Sequence, residues 1–278
     1  MKKKLSSIAG VTLIEILIGI LISVVMMAAM FTSYQVVNNT YSQVADRAKI
    51  STAGRDVLGM MLRDIRNAGF KYFNDDIKTS NEHSPIIITK STNFNSACDK
   101  LEIVYGDVNY DSTRTPKYVY ERYKVTYECK ASSIPDKTAQ PVGNTLPKIK
   151  AFALYKSKVG WNTTSNRWNN PSTDGNTKTY GEEIVLDYVS DLVFNPIDDK
   201  GLLISPPPTP TNSTKDKLYA IKTVDIALTV RSSKPFFRKS KLRKVLAMMD
   251  KARDKSNSDK FLRESIIVTA NARNLGLQ

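Results

Sequence analysis

An apolar run from Val11 to Phe31 is the sequence feature that most constrains how this chain can fold. Its 21 residues are enough for one membrane-spanning helix, because about 20 residues, each rising about 1.5 Å, cross a hydrocarbon core of about 30 Å. Lysines at positions 2 to 4 precede the run, and positive charge stays on the cytoplasmic side of a membrane. The pattern predicts a single span, with the rest of the chain translocated.

Glu15 is the one charged residue inside this run. A carboxylate at that depth costs about 3 kcal/mol or more unless it is paired, so it marks a functional site. A cleaved secretory signal would carry its small-residue cleavage site after the apolar run, whereas Gly10 precedes it. The position of Glu15 also argues against a plain membrane anchor.

The stretch Gly10-Val11-Thr12-Leu13-Ile14-Glu15, after a lysine-rich leader and before an apolar helix, resembles the N-terminal signal of type IV prepilins and type II secretion pseudopilins. In that family a prepilin peptidase cuts after the glycine and methylates the new terminal amine. The resemblance implies a cut between Gly10 and Val11, although the family most often has phenylalanine where Val11 stands. It also implies that Glu15, with Thr12, serves assembly by pairing with the terminal ammonium of a neighbouring or the same subunit.

Helical periodicity continues beyond the apolar run. No proline occurs from Ser33 to Asn67, and apolar residues recur there at spacings of three, four and seven. These residues are Val36, Val37, Val44, Ala48, Val57, Leu58, Met61, Leu62 and Ile65. We expect one helix from about Val11 to Ala68, with Gly69 as its C-terminal cap. It divides into a membrane half, 11–34, and a second half, 35–69, after a leader at 1–10.

The residues at the end of this helix make the family resemblance more specific. The segment from Met61 to Phe70 is similar to the end of the first helix in minor pilins of the PilW family, and more distantly to the J-type minor pseudopilin of type II secretion. The segments 189–194, 224–232 and 273–275 also resemble the PilW pattern. The resemblance implies an α+β, type IV pilin-like fold, with a long N-terminal helix and a β-rich periplasmic domain over residues 70–278.

Beyond Phe70 the period changes from helical to alternating. Tyr118–Glu128 and Thr223–Arg231 each place apolar or aromatic residues on one face and polar residues on the other. Shorter candidate strands are Ile86–Ile88, Leu101–Tyr105, Ile149–Tyr155, Ile184–Val189 and Ile266–Ala270. Because strands follow strands with almost no helix between them, we expect a mainly antiparallel sheet.

Three stretches have the composition of surface loops: 131–148, 156–181 and 205–217. The second contains Trp161 and Trp168. Two interpretations of these tryptophans remain open. They could form an adhesive or glycan-binding tip, or they could pin a long loop to the sheet beneath it.

Cys98 and Cys129 are the only cysteines. In an oxidising periplasm we expect them to form a disulfide, and the alternative is two reduced, buried thiols. With His83 as the only histidine, a multi-ligand zinc site is excluded. The residues from Asp107 to Asp111 only begin a calcium-loop pattern and favour a hairpin turn. We expect no metal and no cofactor.

Residues 231–263 carry twelve Lys or Arg and three Asp, a local net charge of +9 in a chain of formal charge +14. The periodicity of Leu242, Val245, Leu246 and Met249 predicts a helix, inserted at about 235–263 before the last strand. The candidate basic patch consists of Arg238, Lys239, Lys241, Arg243 and Lys244. Its surface could be solvated on the domain, contact anionic lipid headgroups, or bind the phosphates of DNA.

The sequence contains no Gly-rich phosphate loop and no convincing acid/base pair, so it does not indicate an enzyme. The resemblance implies a structural minor pilin that primes or caps a type IV pilus. Its partners would be prepilin peptidase, other minor and major pilins, the inner-membrane assembly platform and the lipid bilayer. It would lie in the inner membrane, with its C-terminal domain periplasmic, and in a filament at the cell envelope. The alternatives are a minor pseudopilin of type II secretion and a single-span periplasmic binding or sensing domain.

Overall fold

A computed structural model describes residues 10–70, 83–91, 98–137, 139–211, 214–237, 239–245 and 255–275. The chain divides into two compact units, Met1–Arg47 and Ala48–Gln278. The first helix, α1, runs from Leu13 to Asn67 and contributes to both units. Its bounds agree closely with the helix expected from about Val11 to Ala68.

The second unit is built on a sheet that follows α1 in the chain. The elements are β1 (Ile86–Thr89), β2 (Lys100–Tyr110), β3 (Tyr118–Ala131), β4 (Phe152–Asn162), β5 (Arg167–Trp168), β6 (Tyr180–Ile197), α2 (Lys215–Tyr219), β7 (Thr223–Arg231), β8 (Lys241–Val245), β9 (Lys255–Asp259) and β10 (Arg263–Asn271). The main sheet has the order β1-β2-β3-β4-β6-β7-β10, and β5 pairs with β4. All its strand pairs are antiparallel. Strands β8 and β9 form a separate two-stranded sheet.

The core of the second unit lies between the last third of α1 and one face of the main sheet. Seven helix residues are buried: Ile50, Gly54, Val57, Leu58, Met61, Asp64 and Ile65. They recur at helical spacing, and the apolar ones pack with buried strand residues such as Leu101, Val125 and Leu228. The amphipathic stripe therefore begins at Ile50, later than the sequence pattern from Val36 suggests.

Two glycines shape this packing. A Cβ atom on Gly54 would lie 2.7 Å from Cδ1 of Ile266, so the missing side chain lets the helix approach β7 and β10 closely. Gly69 ends the helix with φ of +73°, as expected of a C-terminal cap. Its N–H donates to the carbonyl of Val104 at 2.9 Å, so the helix end is tied directly to β2.

Several strand predictions need correction. Thr223–Arg231 matches β7, but 156–181 is not one long loop, because β4 continues to Asn162 and β6 begins at Tyr180. Lys156 and Lys158 interrupt the apolar pattern of β4, which explains why the predicted strand ends too early. Asp107 also lies within β2, and the expected hairpin turn follows at 111–117.

The second face of β7 is also buried, although most of its residues are polar. Asp225, Thr229 and Arg231 are each less than 9% exposed. Asp225 accepts a hydrogen bond from the hydroxyl of Thr269, and the guanidinium of Arg231 lies 3.9 Å from the ring centre of Phe261. Partners on neighbouring segments therefore compensate for the loss of water on this face.

The helix predicted in the basic insertion is wrong. Residues 241–245 form strand β8, which pairs with β9 over Lys241↔Asp259 to Val245↔Lys255. Leu246 and Met249, which completed the predicted apolar face, lie outside the described residues. Leu242 is 62% exposed, so its position in a helical pattern did not indicate a buried face.

The fold class expected from the sequence is confirmed. A long N-terminal helix contributes its last third to the core of a domain built on an antiparallel sheet. This is the α+β arrangement of a long helix and an antiparallel sheet that the sequence predicts.

Candidate assembly site

The apolar half of α1 is exposed along its length. Every described residue from Gly10 to Val44 is exposed, and Val11 retains 71% of its accessible surface. Among the described residues, one helix is long and apolar enough to cross a membrane, and it is α1. Large exposed apolar surfaces mark contacts with lipid or with other proteins.

The first turn of α1 is closed by reciprocal hydrogen bonds between Thr12 and Glu15. Oε2 of Glu15 accepts from the backbone N–H of Thr12 and from its hydroxyl, both at 3.1 Å. The N–H of Glu15 lies 3.4 Å from Oγ1 of Thr12. This is a capping box, in which the residue before the helix and the third helical residue satisfy each other's N–H groups. The carboxylate is thereby turned towards the N-terminal end of the helix.

Gly10 and Val11 precede the helix and are exposed. No heavy atom would lie within 4 Å of a Cβ atom built on Gly10. The peptide bond between them therefore joins two exposed residues, and it lies directly beside the Thr12 N–H that donates to Glu15.

Cys98 and Cys129 form a disulfide. Residues 100 to 127 between them include the hairpin of β2 and β3, whose pairing begins at Leu101↔Tyr127. The bond therefore joins the two strands of this hairpin at its open end. Next to it, buried Asp99 accepts from the ammonium of Lys90 at 3.0 Å and from the N–H of Phe194 at 2.9 Å. These contacts attach the segment before β2 to β6.

Sequence reasoning missed a buried ion pair that holds α1 on the sheet. Asp64 is 5% exposed and Lys156 is 7% exposed, and Nζ of Lys156 lies 2.8 Å from Oδ2 of Asp64. The hydroxyl of Tyr127 donates to the same oxygen at 2.7 Å. A signal was present in the sequence, because Asp64 lies three residues after Met61 and seven after Val57, on the apolar stripe of the helix.

Two buried tyrosines of β3, Tyr127 beside this pair and Tyr123 further along the strand, have raised pKa values. Burial, followed by the negative charge of Asp64, raises the pKa of Tyr127 well above its ordinary value. Burial, with donation of its hydroxyl to Glu121, raises the pKa of Tyr123 to about 12. The ammonium of Lys158 lies 4.0 Å from the ring centre of Tyr123, a cation–π contact on the same side of the sheet.

The candidate basic patch is only partly described. Lys239, Lys241 and Lys244 are exposed, on or just before β8. Arg238 lies outside the described residues, and Arg243 is placed in β8 by its backbone. The described lysines thus form a charged hairpin surface instead of one side of a helix.

Trp161 and Trp168 lie opposite each other in the β4–β5 hairpin, with ring centres 5.1 Å apart. The ring of His83 packs edge-on against both, at 4.3 Å and 5.6 Å. His83 is 5% exposed, and the two tryptophans are half-buried. Both indole rings are therefore fixed to the domain.

Comparison with known proteins gives a similarity of fold. No protein-family model matches the chain, and no curated protein matches it. Among solved structures, it is similar to a type IV-like pilin from Thermus thermophilus, with 10% sequence identity and a TM-score of 0.47. The match covers 81% of this chain and 96% of the other.

Proposed function

We propose that this chain is a minor pilin, a structural subunit that primes or caps a type IV pilus-like filament. Prepilin peptidase cuts it between Gly10 and Val11 and methylates the amine of Val11. The apolar half of α1 holds it in the inner membrane, with the sheet domain in the periplasm, and then packs among the helices of other minor and major pilins. The inner-membrane assembly platform moves the subunit from bilayer to filament.

The observation that carries this proposal is the contrast within α1. Every described residue before Val44 is exposed, although most of them are apolar, whereas the last third of the same helix is packed on a folded domain. A helix that is apolar on all sides belongs in a membrane or among other helices. A subunit that moves between these two environments needs such an apolar helix half and a domain whose core does not include that half.

The capping box favours the role proposed for Glu15. Its carboxylate already accepts from the N–H of Thr12 at 3.1 Å, one residue from the amine that cleavage would create at Val11. A charged amine there is within reach of the same carboxylate, and pairing offsets the cost of placing both charges in a bilayer. The same group can instead pair with the amine of a neighbouring subunit and set the register between two helices.

The first experiment is intact mass and N-terminal sequencing of the membrane-extracted chain, from cells with and without their prepilin peptidase. We expect an N-methylated terminus at Val11 only when the peptidase is present. A terminus at Met1 in both strains would overturn the proposal and leave a membrane-anchored periplasmic binding or sensing domain.

A second experiment isolates the charge at Glu15. Glu15→Gln keeps hydrogen-bonding atoms at this position but removes the charge, and Glu15→Ala removes both. We expect both variants to be cleaved and both to be depleted from sheared filaments, since neither can pair with the terminal ammonium. Ser23→Ala, in the same exposed half of α1, is the matched control and should assemble normally.

Deletion of this chain in the same cells distinguishes a pilus from a type II secretion pseudopilus. A minor pilin is required for surface pili, whereas a minor pseudopilin is required for type II secretion. We expect deletion of this chain to reduce surface piliation and to leave secretion of type II substrates unchanged. The reverse result would assign the chain to the secretion system.

A further inference from the structure

A polar cleft opens on the sheet domain where β3 and β4 separate. The two strands pair as far as Tyr123↔Gly160. Beyond that point β3 continues beside β2, while β4 pairs with the short strand β5. The gap has a volume of about 450 Å³, within the range of about 300–1,000 Å³ that is typical of small-molecule sites.

The lining of the cleft combines one indole with hydrogen-bonding groups of both kinds. Its main side chains are those of Glu121, Arg122, Trp161, Asn169, Asp174 and Asn176. The carboxylates accept hydrogen bonds, the guanidinium donates, and each amide does both. Gly160 lines the cleft without adding a side chain.

Several of these groups are held in place by contacts with the domain. Asp174 accepts from the hydroxyl of Thr179 at 2.8 Å and from the N–H of Asn176 at 3.0 Å. Glu121 accepts from the hydroxyl of Tyr123 and from the amide of Asn109. The site is thus largely formed before a ligand arrives, which reduces the entropy lost on binding.

Trp161 supplies a fixed apolar surface at one side of the cleft. Its ring centre is 4.3 Å from that of His83 and 5.1 Å from that of Trp168. Because these neighbours restrain the ring, little side-chain entropy would be lost when a ligand packs on it. An aromatic ring beside planar polar groups suits a ligand that has both an apolar face and many hydroxyls.

We propose that this cleft binds a neutral saccharide. The C–H face of a sugar ring packs on Trp161, and its hydroxyls bond to the carboxylates, amides and guanidinium. An anionic ligand would face two carboxylates, Glu121 and Asp174, against the single charge of Arg122. An apolar ligand would displace water from the remaining hydrogen-bonding positions of these groups and offer no replacement, which disfavours its binding. Among the described residues, no cluster of His, Cys, Asp or Glu is placed to hold a metal ion.

The test uses the full-length chain in a zwitterionic detergent, since glycoside detergents carry competing sugars. The chain is applied to an array of neutral oligosaccharides of the common hexoses and N-acetylhexosamines, with sialylated and sulfated forms beside them. Binding is then titrated by tryptophan emission. Because both tryptophans of the chain lie at or beside the cleft, their emission reports the site directly.

We expect at least one neutral oligosaccharide to give a saturable change in emission. Asn169→Ala should weaken it about tenfold, as expected for one lost hydrogen bond of about 1.4 kcal/mol. The backbone N–H of Asn169 donates to the carbonyl of Gly160, and this contact survives the substitution. Asn144→Ala removes an exposed amide that does not line the cleft, so it should bind like the unmodified chain.

Three results would overturn the proposal. The first is no saturable binding of any neutral oligosaccharide on the array. The second is preferential binding of the sialylated or sulfated forms. The third is that two variants, Asn169→Ala and Asp174→Asn, both bind the saccharide with the same affinity as the unmodified chain. Each of them alters a different group that lines the cleft. None of these readouts depends on filament assembly, so they are independent of the proposed function.

Discussion

The two parts of α1 share one regular backbone but differ in what surrounds their side chains. From Leu13 to Val44 every residue is exposed. From Ile50 to Ile65, seven residues face the core of the second unit, while charged residues such as Arg55, Asp56 and Arg63 remain exposed. Helix formation alone therefore does not decide where a helix is buried.

The difference follows from how apolar residues are distributed around the helix. In the first part, the apolar run that ends at Phe31 carries a single charge, Glu15, so over that run no side of the helix is suited to water. In the second part, apolar side chains recur on one face only, and that face packs on a sheet formed by the same chain. The first part needs an apolar environment from outside the chain, and the second part does not.

The largest predicted effect on stability comes from breaking the ion pair between Asp64 and Lys156, which holds the second part of α1 on the sheet. Asp64→Asn leaves the ammonium of Lys156 buried without its counter-charge, which costs about 3–5 kcal/mol. We expect a loss of this size in the free energy of unfolding of the sheet domain. It is measured by denaturant titration of the full-length chain, followed by tryptophan emission, which reports the domain alone.

Asp56→Asn is the matched control, because Asp56 is exposed on the same part of α1. It should change the free energy of unfolding by less than about 0.5 kcal/mol. Equal losses in the two variants would show that the contact between Asp64 and Lys156 does not secure the helix. Replacing the pair together, with Asp64→Leu and Lys156→Met, should recover much of the stability, because no buried charge then remains unpaired.

Removal of the disulfide has the next largest predicted effect on stability, and this effect is confined to the second unit. Replacing Cys98 and Cys129 with serine opens a loop of 31 residues, which costs about 3–4 kcal/mol in the chain-entropy account. We expect tryptophan emission to report this loss in a denaturant titration. Helical circular dichroism arising from the apolar half of α1 in detergent should persist after the sheet domain unfolds. A single transition shared by both signals would contradict the separation of the two units.

Much of this fold could be predicted from the sequence because its signals are local. The apolar run, the absence of proline up to Asn67 and the cap at Gly69 place α1 almost to the residue. The alternation in Thr223–Arg231 likewise gives the bounds of β7. Each of these features depends on periodicity within one segment, which a sequence displays directly.

The features that the sequence does not reveal depend on contacts between distant segments. In the sequence, Lys156 suggests that the strand has ended, and only the ion pair with Asp64 of the helix explains a buried lysine within β4. Likewise, the spacing of Leu242 and Val245 fits a helix, but pairing with β9 makes their segment a strand. The cleft is also invisible in the sequence, because it forms where two long strands diverge. The tryptophans alone suggest a binding surface, but only the fold brings Trp161 to Asn169 and Glu121.

A third prediction uses pH to test the environment of Tyr127, the β3 residue whose hydroxyl donates to Asp64. The raised pKa of Tyr127 means that above pH 10 the unfolded chain ionises this tyrosine while the folded chain does not. The contribution of the Tyr127 hydroxyl to the free energy of unfolding is complete below pH 10 and declines as the pH rises towards the pKa of Tyr127 in the folded chain. The stability advantage of the unmodified chain over Tyr127→Phe should therefore shrink by about 1.4 kcal/mol between pH 9 and pH 11. A constant advantage would show that burial and the charge of Asp64 do not raise the pKa of Tyr127 in the folded domain.

The smallest predicted effects compare glycines along α1. Gly59 is exposed, and an added Cβ would meet nothing within 4 Å, so Gly59→Ala should stabilise the domain by up to about 1 kcal/mol through helix propensity. Gly54→Ala gains the same propensity but places a methyl group 2.7 Å from Cδ1 of Ile266, and the shift that this contact requires should make its gain smaller than that of Gly59→Ala. Gly19→Ala, in the apolar half, should leave the unfolding of the sheet domain unchanged. A smaller gain at position 54 than at position 59, with no change at 19, would show that helix propensity and packing both act in the last third of α1, while the apolar half does not affect the unfolding of the sheet domain. A gain at Gly54 equal to that at Gly59 would mean that the helix can move away from β7 and β10 at no cost, and the close approach would lose its significance.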